Sequence, residues 1–291
     1  MASLIEVRGK ISSITNTQKI TQAMQLVAAS RMKGFQHKAL SIRRYTEGLL
    51  HLLAKHQHSI EQLSFAESRL EGKDMFILVT SDKGLCGAMN NRLIKTLFRS
   101  EIWANVSESD RLLITIGRKS YDAARSNNVH VAKSFQNLPE DLDAPSALEI
   151  VDEIIGYWDR KEVKRVYFIA PHYINPFTFE TPIRLYLPFS NELLSSHGLA
   201  VSEEPYATPV EEPDGDRLKE QLSSQLAHML FVQAFFELKA TEYSSRMVAM
   251  KNATDAAGEF AKSLTLDYNK ARQAKITQEL AEISGAVAAM Q

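Results

Sequence analysis

The sequence predicts an α/β protein in which long N- and C-terminal helices pair as an antiparallel coiled coil and an α/β domain occupies the chain between them. Three observations predict it. All nine prolines lie between Pro139 and Pro213. Apolar residues at both ends of the chain recur with a three-then-four spacing. The middle alternates short apolar runs with segments of helical periodicity, the pattern of a largely parallel sheet.

The first helix is expected within residues 1–60. Alternate steps of three and four give Leu4, Val7, Ile11, Ile14, Gln18, Thr21, Gln25, Ala28, Met32, Phe35, Ala39, Ile42, Thr46, Leu49 and Leu53. Eleven of these fifteen are apolar, which supports a heptad seam. The last helix is expected over 216–287. Proline costs roughly 3 kcal/mol inside a helix, and none follows Pro213. Pro213-Asp214-Gly215-Asp216 is a turn cluster with capping aspartates. One helix over 216–286 would run about 105 Å at 1.5 Å per residue. Its seam reads Met247, Met250, Thr254, Ala257, Ala261, Leu264, Tyr268 and Ala271. Two amphipathic helices packed separately on a globular core remain an alternative on pattern alone.

The α/β domain is expected over 73–190 and reads as Rossmann-like. Met75 to Val79, Leu112 to Ile116, Val129 to Val131, Val163 to Ala170 and Phe177 to Leu187 are strand candidates. Arg92 to Phe98, Ser120 to Ser126 and residues 145–158 are the helices between them. Pro182 places the last strand at a sheet edge. Residues 191–215, polar, acidic and proline-bearing, read as an acidic loop, beginning at about residue 190.

Composition narrows the function classes. A single cysteine, Cys86, excludes an internal disulfide and suits a reducing compartment. Apolar stretches such as Met229 to Phe236 are far shorter than the ~20 residues of a bilayer span, and the first ten residues do not read as a signal peptide. The net charge of -1 conceals a basic end and an acidic middle. Residues 1–46 hold Arg8, Lys10, Lys19, Arg31, Lys33, Lys38, Arg43 and Arg44 against Glu6, whereas residues 138–216 hold sixteen acids against five bases. Different parts of the chain therefore face different partners.

Catalytic and metal signals are weak. SDKGLCGAMNN, residues 81–91, lies between a strand and a helix, where phosphate loops occur. It has Gly84 and Gly87 but neither the three-glycine fingerprint nor a Gly-Lys-Ser/Thr ending, so it reads as a tight turn. His51, His56 and His58 cannot converge on one helix, since His56 points about 140° away from His51. No catalytic residue, cofactor or metal ligand is assigned. Two rival classes stay open at this level: a nucleotide-handling α/β enzyme with helical arms, and a coiled-coil tether for nucleic acid or anionic membrane.

Four segments carry a resemblance. NTQKITQAMQLVAASRM (Asn16 to Met32), SDKGLCGAMNN (Ser81 to Asn91), SSRMVAMKNATDAAGEF (Ser244 to Phe260) and YNKARQAKITQELAEISGA (Tyr268 to Ala286) closely resemble the gamma subunits of F-type ATP synthases, in that family's order. The resemblance implies a non-catalytic rotor shaft that transmits torque between a membrane rotor ring and a head of three alpha and three beta subunits. It implies alpha, beta, epsilon and the c-ring as partners, with no nucleic acid bound and no direct membrane insertion. The location implied is peripheral, on the cytoplasmic face of a bacterial inner membrane. Head contacts carry over to Lys19, Met24, Arg246, Met247, Lys251, Arg272, Gln273, Thr277 and Glu279, with Met24 facing Arg246. Lys83, Gly84, Leu85 and Gly87 carry over as the foot loop.

The resemblance also accounts for polar seam residues such as Gln18, Thr21 and Gln25, and for the small residues Ser284 to Ala289: a turning shaft needs weak, repackable contacts. Lys10, Arg31 and Lys33 are expected to meet acidic loops of the head. Where family members often carry Tyr-Glu-Pro, this chain has Glu211-Glu212-Pro213, so no specific ring contact is carried to that loop. The cysteine-bearing insertion of the chloroplast type is missing, so no thiol control is expected.

Overall fold

The structure is a computed structural model that describes residues 4–55, 65–196 and 215–289. Its elements follow the order α1 (Leu4–Lys55), β1 (Lys73–Val79), α2 (Met89–Phe98), α3 (Glu101–Asn105), a 3-10 turn, β2 (Arg111–Ile116), α4 (Arg118–Ser126), β3 (Val131–Phe135), α5 (Ala144–Asp159), β4 (Val163–Ile169), β5 (His172–Asn175), β6 (Thr178–Glu180), β7 (Ile183–Leu187), α6 (Asn191–Ser196) and α7 (Gly215–Ala289). Contacts divide the chain into two compact units, residues 1–29 with 246–291, and residues 30–245.

In the first unit the start of α1 and the end of α7 run antiparallel. Thr254 Oγ1 donates to Thr21 Oγ1 at 2.7 Å, and Gly258 lies opposite Gln18, so numbers rise on one helix as they fall on the other. The interface is small and polar in its middle. Thr21 and Ala28 are buried, while Gln18 and Gln25 are half-buried. Among the described residues no helix covers α7 beyond Lys270, and residues 270–286 are exposed without interruption.

The second unit is built on a five-stranded sheet of order β3-β2-β1-β4-β7. β1, β2, β3 and β4 are parallel and β7 joins β4 antiparallel at the edge. β1 is central and buried from Asp74 onward, which is why MFILV reads as a continuous apolar run with no alternation. One face packs Met89, Leu93 and Leu97 of α2; α5 contributes Ile150, Ile154 and Trp158 to the same core. Asp143 caps α5 by accepting from Ser146 N at 3.1 Å, with Pro145 in the first turn where its missing N–H costs nothing. Helix residues from 30–55 and 215–245 join this unit. Leu50, Leu226, Ala227, Leu230, Phe231 and Leu238 belong to its core, and Phe35 stacks on Tyr243 with centroids 5.3 Å apart.

Three expectations need correction. The third strand is Val131–Phe135 and not 129–131, because α4 ends at Asn127-Asn128, where Asn128 adopts φ +55° and delays the strand. The segment 177–187 is two strands: β6 pairs with β5 in a separate hairpin and β7 joins the main sheet, with Pro182 between them. Asn191–Ser196, expected as loop, is the helix α6, which buries Leu193 and Leu194. The remainder of the acidic loop, Pro213 and Asp214 included, lies outside the described residues, as do His56 and His58.

Candidate functional site

The foot loop follows β1 at the carboxyl edge of the sheet, where the strand order reverses between β1 and β4 and α/β folds place their ligands. Here the donors are used internally. Asp82 Oδ1 accepts from Arg118 N at 2.9 Å and from Asn137 N at 3.2 Å. Thr80 Oγ1 accepts from Ser120 N at 2.7 Å. The amides opening α4 thus face a carboxylate and a hydroxyl of the chain itself, at the place where a nucleotide-binding fold presents amides to phosphate. Asn90 closes the loop from α2, accepting from Ser81 N at 3.1 Å and donating to Ser81 Oγ at 2.8 Å and Cys86 Sγ at 3.2 Å. This arrangement buries Cys86 and turns Lys83, Gly84, Leu85 and Gly87 outward. Leu85 stands 62% exposed with φ +62°, and Gly87 has φ +59°. The loop presents an apolar knob and a cation on a rigid base.

Several polar contacts tie the α/β body to the helices inside the second unit, the Tyr186 Oη bond to Ala227 O at 2.8 Å among them. Glu140 accepts from Tyr243 Oη at 2.7 Å and faces Arg31 at 3.5 Å; the tyrosine hydrogen bond holds its carboxyl below the usual range. Lys38 pairs with Asp141 beside it. Arg31, expected to face an acidic partner, already has Glu140 as a neighbour. The deeper contact centres on Glu237, which is almost fully buried. Burial alone would push its carboxyl up. The hydrogen bond from His172 and the charge of Arg43 outweigh that and hold it down at about 2. Arg184 Nε and Gln233 Oε1 lie in the wall of a neighbouring cavity of about 40 Å³ and have no hydrogen-bond partner among the described residues. Burial lowers the affinity of Arg184 for its proton.

None of the Glu237 group was found by sequence reasoning. The one signal was an acid inside the apolar stretch MLFVQAFFELK.

Every shaft residue carried over from the resemblance lies in the first unit. Lys19 and Lys251 are exposed, and Met24 and Met247 are half-buried. Arg246 is only 8% exposed. Arg272, Gln273, Thr277 and Glu279 are exposed on the partnerless end of α7. Their contacts are local: Thr277 Oγ1 donates to Gln273 O at 3.0 Å, and Lys275 faces Glu279 at 3.8 Å. The same stretch exposes Ile276, Leu280 and Ile283 at 48%, 60% and 62%, and their four-then-three spacing puts them on one face. Further along the unit, Ile20, Leu26, Val27, Phe260 and Leu266 are also exposed. Among the described residues no helix is long and apolar enough to cross a membrane, and no group of His, Cys, Asp and Glu is placed to hold a metal ion.

Residues 3–290 match the model of the ATP synthase family. A gamma chain of ATP synthase from Nitrosococcus oceani is 35% identical over the full length of both chains. This chain belongs to the ATP synthase gamma chain family. Another gamma chain, from Streptococcus thermophilus, is 33% identical over 99% of each chain.

Solved structures share the fold at lower identity. A chain from the Euglena gracilis mitochondrial ATP synthase, in a structure of its OSCP/F1/c-ring, has a TM-score of 0.66 at 17% identity, covering 99% of this chain and 94% of that one. A chain from the Tetrahymena thermophila mitochondrial ATP synthase, in a structure of its central stalk and c-ring, has a TM-score of 0.59 at 23% identity, covering 80% and 99%.

Proposed function

We propose that the chain is the central-stalk shaft of an F-type ATP synthase, transmitting torque between a membrane rotor ring and the alpha-beta head during synthesis or hydrolysis of ATP. The observation that carries this reading is the end of α7. Residues 270–286 form a helix exposed on every side, with Ile276, Leu280 and Ile283 on one face. An uncovered apolar face on a helix seeks a sleeve, and the relatives are gamma chains of an enzyme whose solved assemblies contain an F1 head and a c-ring.

In this reading the chain performs no chemistry. An asymmetric axle favours a different conformation in each beta subunit, so rotation couples distant sites through differential contacts. Lys19, Met24, Arg246, Met247 and Lys251 contact the head. Arg272, Gln273 and Thr277 form polar catches with beta, and Glu279 is a further head contact. Lys83, Gly84, Leu85 and Gly87 shape the surface of the foot, where epsilon and the c-ring attach. The protein is peripheral, at the cytoplasmic face of a bacterial inner membrane. The two helical ends, 1–60 and 216–287, act as the axle, and 73–190 acts as the foot.

The test is co-expression with alpha and beta subunits of the same organism. One copy per three alpha-beta pairs, with ATPase activity that depends on it, supports the proposal. Alpha and beta subunits that assemble and work without the chain would overturn it.

A further inference from the structure

A shaft must be gripped as well as turned, and the grip has a location in the second unit. Four donors converge on the Glu237 carboxylate. Oε1 accepts from Arg43 Nε at 2.9 Å and Gln233 Nε2 at 2.8 Å. Oε2 accepts from Tyr173 N at 3.0 Å and lies 2.8 Å from His172 Nδ1. Arg43 Nη2 donates in turn to Tyr173 O. Both backbone polar groups of Tyr173 in β5 are therefore taken by side chains of α1 and α7, while the Tyr173 ring is fully buried.

The surrounding contact is of another kind, apart from one neutral hydrogen bond in which Tyr186 Oη of β7 donates to Ala227 O of α7 at 2.8 Å. Leu226, Ala227, Leu230 and Phe231 of α7 belong to the apolar core, and Phe231 meets Phe168 of β4 edge to face at 6.2 Å. Apolar surfaces are non-directional and slide by small shear steps as rotamers adjust. A buried charge held by four donors tolerates no such slide, because moving it away from its partners leaves an uncompensated ion. A buried ion pair adds little stability over an apolar pair, but it can enforce one register. The exposed Arg31–Glu140 and Lys38–Asp141 pairs are solvent-screened and enforce less.

We infer that the Arg43–Glu237–His172 cluster, closed on the Tyr173 backbone, is the torsional anchor that locks the helix pair to the α/β body. This rests on the shaft reading. Glu237, Arg43 and His172 are positioning residues: they act by holding the Tyr173 backbone.

The experiment uses the chain assembled with alpha and beta subunits, the head fixed to a surface. A bead is attached through a cysteine at exposed Leu148 on the body or, in a second preparation, at exposed Glu220 on α7. With the motor stalled, the width of each bead's angular fluctuation is measured. In the unaltered chain both widths are expected to agree. In Glu237→Gln the body bead should fluctuate at least twofold more widely while the α7 bead is unchanged. His172→Ala should widen the body bead in the same sense, and His172→Asn, whose amide can replace the Nδ1 donor, should restore it. If Glu237→Gln fails to assemble, the His172 pair decides. An unchanged body bead in assembled Glu237→Gln, or His172→Ala and His172→Asn behaving alike, would overturn the anchor. Failure of either bead to rotate with ATP in the unaltered complex would instead overturn the shaft reading.

Discussion

Arg43 and Glu237 stand 194 positions apart in the sequence and meet at 2.9 Å, joining the first helix to the last inside one compact unit. Their pairing makes a prediction about stability that is separate from any motor function. Glu237→Ala leaves Arg43 without its carboxylate in a largely buried site, a loss of about 3–5 kcal/mol. Denaturant unfolding of the isolated chain should show a lower midpoint for the body. An unchanged midpoint would mean that the pair is solvated in solution.

The same carboxylate sets an acid limit. Its pKa is about 2 in the folded chain, against a usual glutamate value of about 4.3. A group depressed on folding stabilises the fold above its unfolded pKa, and that contribution disappears as pH falls towards the folded value. Stability should therefore decline between about pH 4.5 and pH 2 more steeply in the unaltered chain than in Glu237→Gln. Parallel acid-unfolding curves would contradict this.

Two glycines at the carboxyl edge of the sheet should respond very differently. Gly117 has φ +89°, and a Cβ there would stand 2.7 Å from the carbonyl carbon of Thr80. With ψ at 148° this backbone is close to one open essentially to glycine alone, costing another residue about 1–3 kcal/mol, and overpacking adds a further ~1–3 kcal/mol. Gly117→Ala should thus be severely destabilising. At Gly84 the nearest atom is Lys119 Cε at 3.9 Å, so Gly84→Ala should shift the thermal midpoint very little. The comparison is read from melting curves of the two variants.

Gly258 offers a milder case. A Cβ there would meet only the end of the Gln18 side chain, at 2.7 Å, and that amide can rotate away. Alanine gains about 1 kcal/mol over glycine inside a helix. Gly258→Ala should be neutral or stabilising, and more clearly stabilising when combined with Gln18→Ala.

Replacement of Arg272, Gln273 and Thr277 by alanine should leave melting of the isolated chain within about 0.5 kcal/mol, the range for surface positions. ATPase activity of the assembled complex should fall, since these side chains make only local contacts within the chain. Equal activity would remove them from the interface.

The sequence disclosed the long-range plan better than the cluster that joins its parts. Each described position of the N-terminal seam, from Leu4 to Leu49, is buried or half-buried, because period is a local property that survives even with Gln18 and Thr21 in the seam. β1, β2 and β4 were legible as apolar runs for the same reason: strands covered on both faces have no polar side to show. β3 was displaced because VAKSF is an edge strand with a weak burial pattern and a left-handed Asn128 before it. β6 merged with β7 and β5 was missed between two strand candidates, because each is three or four residues long. The Glu237 cluster was invisible because its members come from positions 43, 172, 173, 233 and 237, and nothing local marks a carboxylate that will be enclosed. Among the shaft residues, sequence singled out exposed side chains at the tip, but no periodicity reveals which ones a partner touches.

The uncovered stretch of α7 has a consequence for assembly. Beyond Lys270 each turn is held by its own backbone bonds and by continuity with the packed part of the helix. A helical end of this kind is marginal in water and unwinds from its terminus. Backbone amides near Ala286 should then exchange with solvent fastest in the free chain, and protection should increase towards Lys270. Enclosure by a sleeve would have to supply the missing conformational order, so part of the binding energy is consumed in straightening the tip. In the proposed assembly, rigidity at the tip would be a collective property, conferred as a sleeve closes around it.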